Sequence, residues 1–310
     1  MAIDLTHLGV FIVSLGIKML ERTLLITGAH GFIGRHIARL FNSKGWYVVG
    51  IGHGGWSKAE AYAWGVSEWH QSDITSTKLK SLNTVPDLIV HAAGGSSVPL
   101  SIQSPEQDFS RTVSTTEDVL EYLRHIDSNS KLIYLSTAGV YGTVKILPIR
   151  ENVELYPLSP YGKHKAAAEE LCSDCSTSYG VDITVIRLFS IYGAGLKKQL
   201  LWDALNKIVQ NETEFFGTGE EVRDWLHVDD AASLVFTVAE SANKGYMILN
   251  GGTGKGVIVR DLLTQLYSLY GFYRPPSFSG LAREGDPVGY LADITKAKAL
   301  GWKPSVSLQT

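Results

Sequence analysis

Leu24-Leu25-Ile26-Thr27-Gly28-Ala29-His30-Gly31-Phe32-Ile33-Gly34 is the stretch on which the reading of this chain turns. Leu24 to Thr27 is a short apolar run closed by a turn signal, which suits a strand buried on both faces. Gly28, Gly31 and Gly34 recur at every third position, and an amphipathic helical pattern follows from Phe32 to Phe41. Strand, glycine turn and helix in succession make a loose glycine motif into a dinucleotide-binding expectation. The first glycine permits a tight turn, the second lets backbone approach a pyrophosphate, and the third lets helix pack closely on strand. The helix N-terminus then faces the anion, with His30, Phe32 and Ile33 lining the same turn.

The 310 residues allow one large domain or two modest ones. A formal net charge of -3 argues against broad nucleic-acid binding, so any anionic ligand must be met by local arginines. Cys172 and Cys175 are spaced like a redox or metal pair, but no second pair completes a metal site. They fall in a helical stretch and read as ordinary helix residues in a reducing cytoplasm. Leu8 to Leu20 is apolar apart from Ser14 and Lys18. It is shorter than the roughly twenty residues a membrane span needs. It also lacks a basic leader and a cleavage site. Residues 1–21 therefore read as a leader ahead of a natural start at Met19, with a packing or membrane-touching arm as the alternative.

Outward from the glycine turn, Trp46 to Ile51 reads as a second buried strand running into Gly52-His53-Gly54-Gly55. In NAD-selective folds an acidic residue at this point accepts hydrogen bonds from the adenosine ribose. Gly52 stands there, and no acid follows until Glu60. With no carboxylate to repel a 2′-phosphate, and with His53, Ser57 and Lys58 as donors, this end favours NADP(H) over NAD(H). A third strand is expected over Ser67 to Ile74, ending at Asp73-Ile74. A fourth, from Asp87 to His91, runs into Ala92, Ala93 and Gly94, small residues that leave room for a flat ligand.

Ser104 to His125 has helical periodicity, Lys131 to Leu135 reads as a fifth strand, Tyr161 to Tyr179 as a helix, and Asp182 to Arg187 as a sixth strand. This alternation predicts an α/β fold, a Rossmann-type doubly wound parallel sheet. Such sheets bind ligands beyond the carboxyl ends of their strands, where Gly28, Gly52, Ala92, Thr137 and Ser190 all fall. After Arg187 the pattern loosens. Helices are expected over Leu200 to Gln210 and Ala231 to Ala239, with strand-like segments at Arg223 to Val228 and Met247 to Asn250. Gly254-Lys255 invites a phosphate-loop reading that fails, because Gly256 replaces the required Ser or Thr. Residues 22–186 with about 226–250 are expected to form the dinucleotide-binding domain, and 187–225 with 251–310 a smaller C-terminal α/β substrate region. No closing helix follows Leu300 to Pro304, so the end reads as cut short.

Tyr161 and Lys165 are four apart at a helix start and share one face. A phenol has a reference pKa near 10 and needs help to exchange protons at neutral pH. A nearby ammonium and the positive ring of an oxidised nicotinamide both favour phenolate. A hydroxyl from the end of the fifth strand, Thr137 or Ser136, completes the arrangement by bonding the same substrate oxygen.

Thr27 to Gly34, Asp73-Ile74, His91 to Gly94, Leu135 to Gly142, Ser159 to Lys165, Arg187 to Gly193, Arg223 to Asp230, Leu249 to Gly252 and Arg283 to Asp286 together resemble the extended short-chain dehydrogenase/reductase family. The resemblance runs from about Thr23 to Pro304. It implies a nicotinamide enzyme acting on a nucleotide-diphosphate sugar, of the epimerase, dehydratase and 4-ketoreductase group. Tyr161 is then the acid/base, Lys165 tunes it and holds the nicotinamide ribose, and Thr137 aligns with the catalytic hydroxyl better than Ser136. Asp73 and Ile74 meet the adenine, while Arg223 and Arg283 clamp the pyrophosphate. Ser97 and Ser190 fall among the substrate contacts.

Three positions depart from the family pattern. Ala138 and Gly139 replace the Asp-Glu pair that dehydration requires, so a dehydratase is not expected. Ser190 replaces an asparagine, and Gly52 replaces the ribose acid. Epimerase chemistry at carbon 4 is the leading expectation, an NADPH-dependent 4-ketoreductase the alternative, and a non-catalytic NAD(P)-binding protein the third reading. A homodimer through helices 104–125 and 161–179 is implied by the resemblance, with no membrane span.

Overall fold

The computed structural model describes residues 22–126, 129–281 and 289–308. The expectations for residues 1–21 and for Arg283 lie outside them. Seven parallel strands form the central sheet: β1 (Thr23–Thr27), β2 (Tyr47–Gly52), β3 (Glu68–Gln71), β4 (Leu88–His91), β5 (Lys131–Thr137), β6 (Ile183–Leu188) and, after an excursion, β10 (Tyr246–Gly251). Their order is β10-β6-β5-β4-β1-β2-β3. Helix α1 (Phe32–Ser43) follows β1, and the short α2 (Lys58–Ala63) and α3 (Ser76–Ser81) follow β2 and β3. Next come α4 (Val98–Gln103), α5 (Pro105–Phe109) and α6 (Thr115–His125), and then the long α7 (Pro160–Tyr179).

Alternate residues of each strand feed two different cores, as strands covered on both faces require. Leu24, Ile26, Val48, Val90 and Ile133 join one core with Ile37 and Phe41 of α1. Leu25, Val49, Ile89, Leu132 and Tyr134 join the other with Leu79 of α3, Val119 of α6 and Cys172 of α7.

Two expected boundaries are corrected. The third strand stops at Gln71 rather than Ile74, because its partner runs out: the register ends at Gly52↔Gln71, leaving Asp73 and Ile74 in the following loop. The helix expected over 104–125 is broken. Ser104 is not helical ahead of Pro105, as the residue before a proline tends not to be. A π-turn over Ser110–Ser114 then joins α5 to α6.

Beyond β6 the chain forms β7 (Ser190–Tyr192), α8 (Gln199–Val209), β8 (Glu214–Phe215) and β9 (Val222–His227), then α9 (Val228–Glu240) and β10. It ends with β11 (Gly256–Ile258), α10 (Val259–Leu269), β12 (Ser277–Phe278), β13 (Gly289–Tyr290) and α11 (Thr295–Ala299). Strand β9 pairs with β7, β11 and β13 in a second sheet. A third core of Ala204, Phe215, Leu263 and Tyr267 sits between α8 and α10.

Buried polar groups stitch the sheets together. Arg187 donates to both carboxylate oxygens of Glu169 and to the Glu151 carbonyl. Burial alone would lower the Arg187 pKa, but Glu169 raises it above the ordinary value. Asn250 accepts from the Tyr141 hydroxyl at 2.7 Å and donates to the Ile149 carbonyl at 2.8 Å. Asp224 accepts from the N–H groups of Thr253, Gly254 and Ala292.

Candidate functional site

The turn after β1 is built around glycine. Gly28 takes φ +73, and a Cβ there would meet the Ala93 nitrogen at 2.8 Å; a Cβ on Gly34 would meet the Gly28 carbonyl oxygen at 2.4 Å. The first-turn N–H groups of any α-helix lack an intrahelical partner, and at α1 no side chain caps them from Gly31. Uncapped donors at the end of a three-turn helix, reached by a side-chain-free turn, fit a dinucleotide pyrophosphate.

The end of β2 is more occupied than its composition implied. His30 covers Gly54 so closely that a Cβ there would fall 1.9 Å from its ring, and Trp56 packs on His30 at 4.7 Å. His53 Nε2 lies 2.6 Å from Asp73 Oδ1, both side chains exposed. Ser57 caps α2, and its hydroxyl donates to Glu60 at 2.7 Å. Two of the three anticipated phosphate donors, His53 and Ser57, are thus engaged with carboxylates, while Lys58 opens α2. A different cation stands nearby. Arg35 donates to the carbonyls of His30 and Gly31 and lies over Trp56 and Trp64.

At the end of β4, His91 is fully buried between the Thr27 and Thr116 hydroxyls. Burial, and then the Lys165 charge, lower its pKa to about 3, so it stays neutral. Ala92, Ala93 and Gly94 follow. A Cβ on Gly94 would stand 3.2 Å from Lys165 Nζ, which places the β4 loop directly against that ammonium.

Ser159 caps α7 by accepting from the Gly162 N–H at 3.1 Å, and the Tyr161 N–H is held by Ser101 Oγ at 3.0 Å. Strand alternation then separates the two candidate hydroxyls. Thr137 shares a face with Tyr161: a Cβ added at Gly139 would stand 3.5 Å from Thr137 Oγ1 and 3.9 Å from Tyr161 Cδ1, whereas Ser136 turns to the other face and donates to Glu169. Lys165 is 5% exposed, donates to the Leu135 carbonyl at 2.9 Å and lies 4.8 Å above the Tyr134 ring. Burial lowers its pKa to about 8, opposed by Asp108 and Glu169. The phenol departs from expectation. In the protein alone burial pushes Tyr161 above its ordinary value, the Thr137 hydroxyl pulls it down and Asp108 pushes it further up.

The other anticipated residues are spread around this centre. Ser97 caps α4 through the Leu100 N–H. Ser190 opens β7, opposite Trp225 of β9. Arg223, on β9, donates to the Val222 carbonyl at 3.0 Å and lies over the Tyr290 ring. Sequence reasoning missed Asp108 and His164, whose side chains meet at 2.7 Å next to Lys165 on α7. The stripe Asp108, Thr112, Thr116 was the available signal: three polar residues four apart, all buried. Among the described residues no His, Cys, Asp or Glu cluster is suited to hold a metal, and no helix is long and apolar enough to cross a membrane. Cys172 and Cys175 are free and buried.

Residues 24–252 match the model of the NAD dependent epimerase/dehydratase family. A putative UDP-glucose 4-epimerase from Methanocaldococcus jannaschii is 30% identical, with 92% of this chain and 94% of that protein covered. Among solved structures, UDP-glucose 4-epimerase from Thermotoga maritima with UDP-glucose superposes with a TM-score of 0.84 at 28% identity, covering 93% of this chain and 95% of its own. UDP-glucuronic acid 4-epimerase from Bacillus cereus, in complex with UDP-glucuronic acid and NAD, gives 0.83 at 28% identity, covering 92% and 95%. With a parallel seven-stranded sheet, the glycine turn and the Tyr161–Lys165 helix, the chain belongs to the NAD-dependent epimerase/dehydratase family, of the extended short-chain dehydrogenase/reductase type.

Proposed function

We propose that this protein is a nucleotide-diphosphate-sugar 4-epimerase with Tyr161 as its acid/base. The observation that carries the reading is that the Tyr161 ring and the Thr137 hydroxyl both flank Gly139, while the Lys165 ammonium, one helical turn along α7, stands against the β4 loop. The glycine turn and α1 would hold the dinucleotide pyrophosphate, Asp73 and Ile74 the adenine, and Lys165 the nicotinamide ribose. When bound, the nicotinamide supplies a reversible hydride acceptor and, oxidised, a positive charge that favours the Tyr161 phenolate.

Tyr161 takes the proton of the sugar's 4-hydroxyl, and Thr137 hydrogen-bonds the same oxygen to fix its direction. Lys165, held by the Leu135 carbonyl, keeps a positive charge next to the reacting oxygen while it is protonated. Once the 4-keto sugar has presented its other face, Tyr161 returns the proton to that oxygen. Ser97, Ser190, Arg223 and Arg283 are the proposed substrate contacts, with the two arginines on the pyrophosphate. Residues 187–225 and 251–310 are the proposed substrate region. Two buried free thiols suit the cytoplasm. Exposed Leu100, Ile102 and Phe109 beside α7 support a homodimer.

One observation favours a second reading, an NADPH-dependent 4-ketoreductase. Gly52 offers no carboxylate to the adenosine ribose, and the half-buried Arg35 nearby donates, among the described residues, to carbonyl oxygens. The test is mass analysis of the dinucleotide retained on purification, then incubation with UDP-hexoses. Retained NAD and epimerised sugar without external cofactor support the epimerase. Stoichiometric NADPH consumption with a 4-keto sugar supports the reductase. Tyr161→Phe should lose roughly 100- to 10,000-fold in turnover while keeping its dinucleotide; full turnover in that variant would sink both readings.

A further inference from the structure

Lys198 ends the loop between β7 and α8, and its ammonium crosses to the loop after β4. Nζ lies 2.9 Å from Ser96 Oγ and 3.4 Å from the Ser96 carbonyl oxygen. Ser96 is two residues beyond Gly94, which stands against Lys165. Two residues of extended chain span about 7 Å. This second ammonium is therefore anchored on the same loop that meets Lys165. Arg223, the proposed pyrophosphate ligand, belongs to the second sheet, beside Tyr290.

Three features set Lys198 apart. Its neighbour Gln199 takes φ +68, a left-handed backbone that disfavours a residue with a Cβ. Strain of this kind persists where the surroundings enforce it. Among the described residues no carboxylate lies within ion-pair distance of Nζ, whose hydrogen-bond partners are the two neutral oxygens of Ser96. The side chain stays accessible to solvent, yet burial by the surrounding walls lowers its pKa with no opposing acid. A partly desolvated cation with only neutral partners is matched best by an anion.

We propose that Lys198 binds an acidic group carried by the hexose itself, so that the substrate is a nucleotide-diphosphate hexuronate and not a neutral hexose. This rests on the 4-epimerase reading. The carboxylate of a hexuronate is attached to carbon 5, next to the reacting carbon 4. An ammonium anchored on the loop that meets Lys165 can reach toward that group, and the Ser96 hydroxyl beside it can donate to its second oxygen.

The test is calorimetric binding of UDP-glucuronate and UDP-glucose to the full chain and to Lys198→Met and Lys198→Arg. The wild type should bind the uronate about tenfold more tightly than the hexose, the size of one charge-assisted hydrogen bond. Lys198→Met should lose about tenfold on the uronate and less than about twofold on the hexose, and Lys198→Arg should keep the preference. Equal weakening on both sugars, which marks a β-phosphate contact, overturns the inference, as does no weakening. Turnover is read separately. A uronate preference in binding without epimerised product sinks the epimerase reading and leaves Lys198 standing. Epimerisation of both sugars with equal affinity sinks this inference alone.

Discussion

The His164 imidazole Nδ1 stands 2.7 Å from Asp108 Oδ2, one residue before Lys165 on α7. The other face of that carboxylate is so close to Gly95 that a Cβ there would fall 2.0 Å from Oδ1. Asp108 is 6% exposed and raises both the Tyr161 phenol and the Lys165 ammonium above the values that their other surroundings set. The site therefore carries a negative charge that resists formation of phenolate.

Asp108→Asn keeps the shape and removes that charge. Phenolate then forms at lower pH, and Lys165 loses its proton at lower pH as well. The whole activity profile should move toward acid, both limbs together. Initial rates across the pH range check this. An unmoved profile with a lower plateau would assign Asp108 a purely structural role.

Lys165 makes the fold less stable than it needs to be. Its folded pKa of about 8 lies below the ordinary lysine value, so the unfolded chain binds the proton more tightly. The cost, about 3 kcal/mol, is fully present below pH 8 and disappears as pH rises to the unfolded value near 10.4. Wild-type stability against urea should gain from this group over that interval. Lys165→Met should lack the gain and lose activity.

Arg187→Met should be among the most damaging core substitutions. Among the described residues it leaves the buried Glu169 carboxylate the Ser136 hydroxyl as its one remaining hydrogen-bond donor. Breaking a buried pair from one side costs about 3–5 kcal/mol. Chemical denaturation measures the loss, and Arg187→Met combined with Glu169→Leu should recover part of it.

Gly34→Ala drives a methyl group into the Gly28 carbonyl and pushes the turn open. Loss of retained dinucleotide, seen in the absorbance spectrum, is expected with about 1–3 kcal/mol of stability. Gly45→Ala is the control. It has φ +80 but nothing within 4 Å, so it should cost about 1 kcal/mol and keep the dinucleotide.

Local spacing made the glycine turn and the Tyr161–Lys165 face legible, because both are set by backbone geometry within one helical turn. What escaped depends on partners far along the chain. Asp108 and His164 are 56 residues apart, and Lys198 and Ser96 are 102 apart; only the sheet order brings them together. The resemblance had preferred Thr137 to Ser136, and strand alternation supplies the physical reason, setting their side chains on opposite faces. The overlong third strand erred for a related reason: Asp73-Ile74 carries a strand-like pattern, but β2 ends before it can pair. In the Ser104–His125 stretch, apolar periodicity ran unbroken through a proline and a π-turn, because neither interrupts the buried stripe.

The chain leaves the central sheet after β6, builds β7 to β9, and returns to lay β10 along the exposed side of β6. The two halves are consequently interleaved, and expressing the first alone, a routine way to assign ligands to regions, will mislead. A piece ending near residue 190 bares the Ile183–Leu188 backbone as an open template for intermolecular pairing and should precipitate. Splicing residues 228–251 back onto it through a flexible linker should restore solubility.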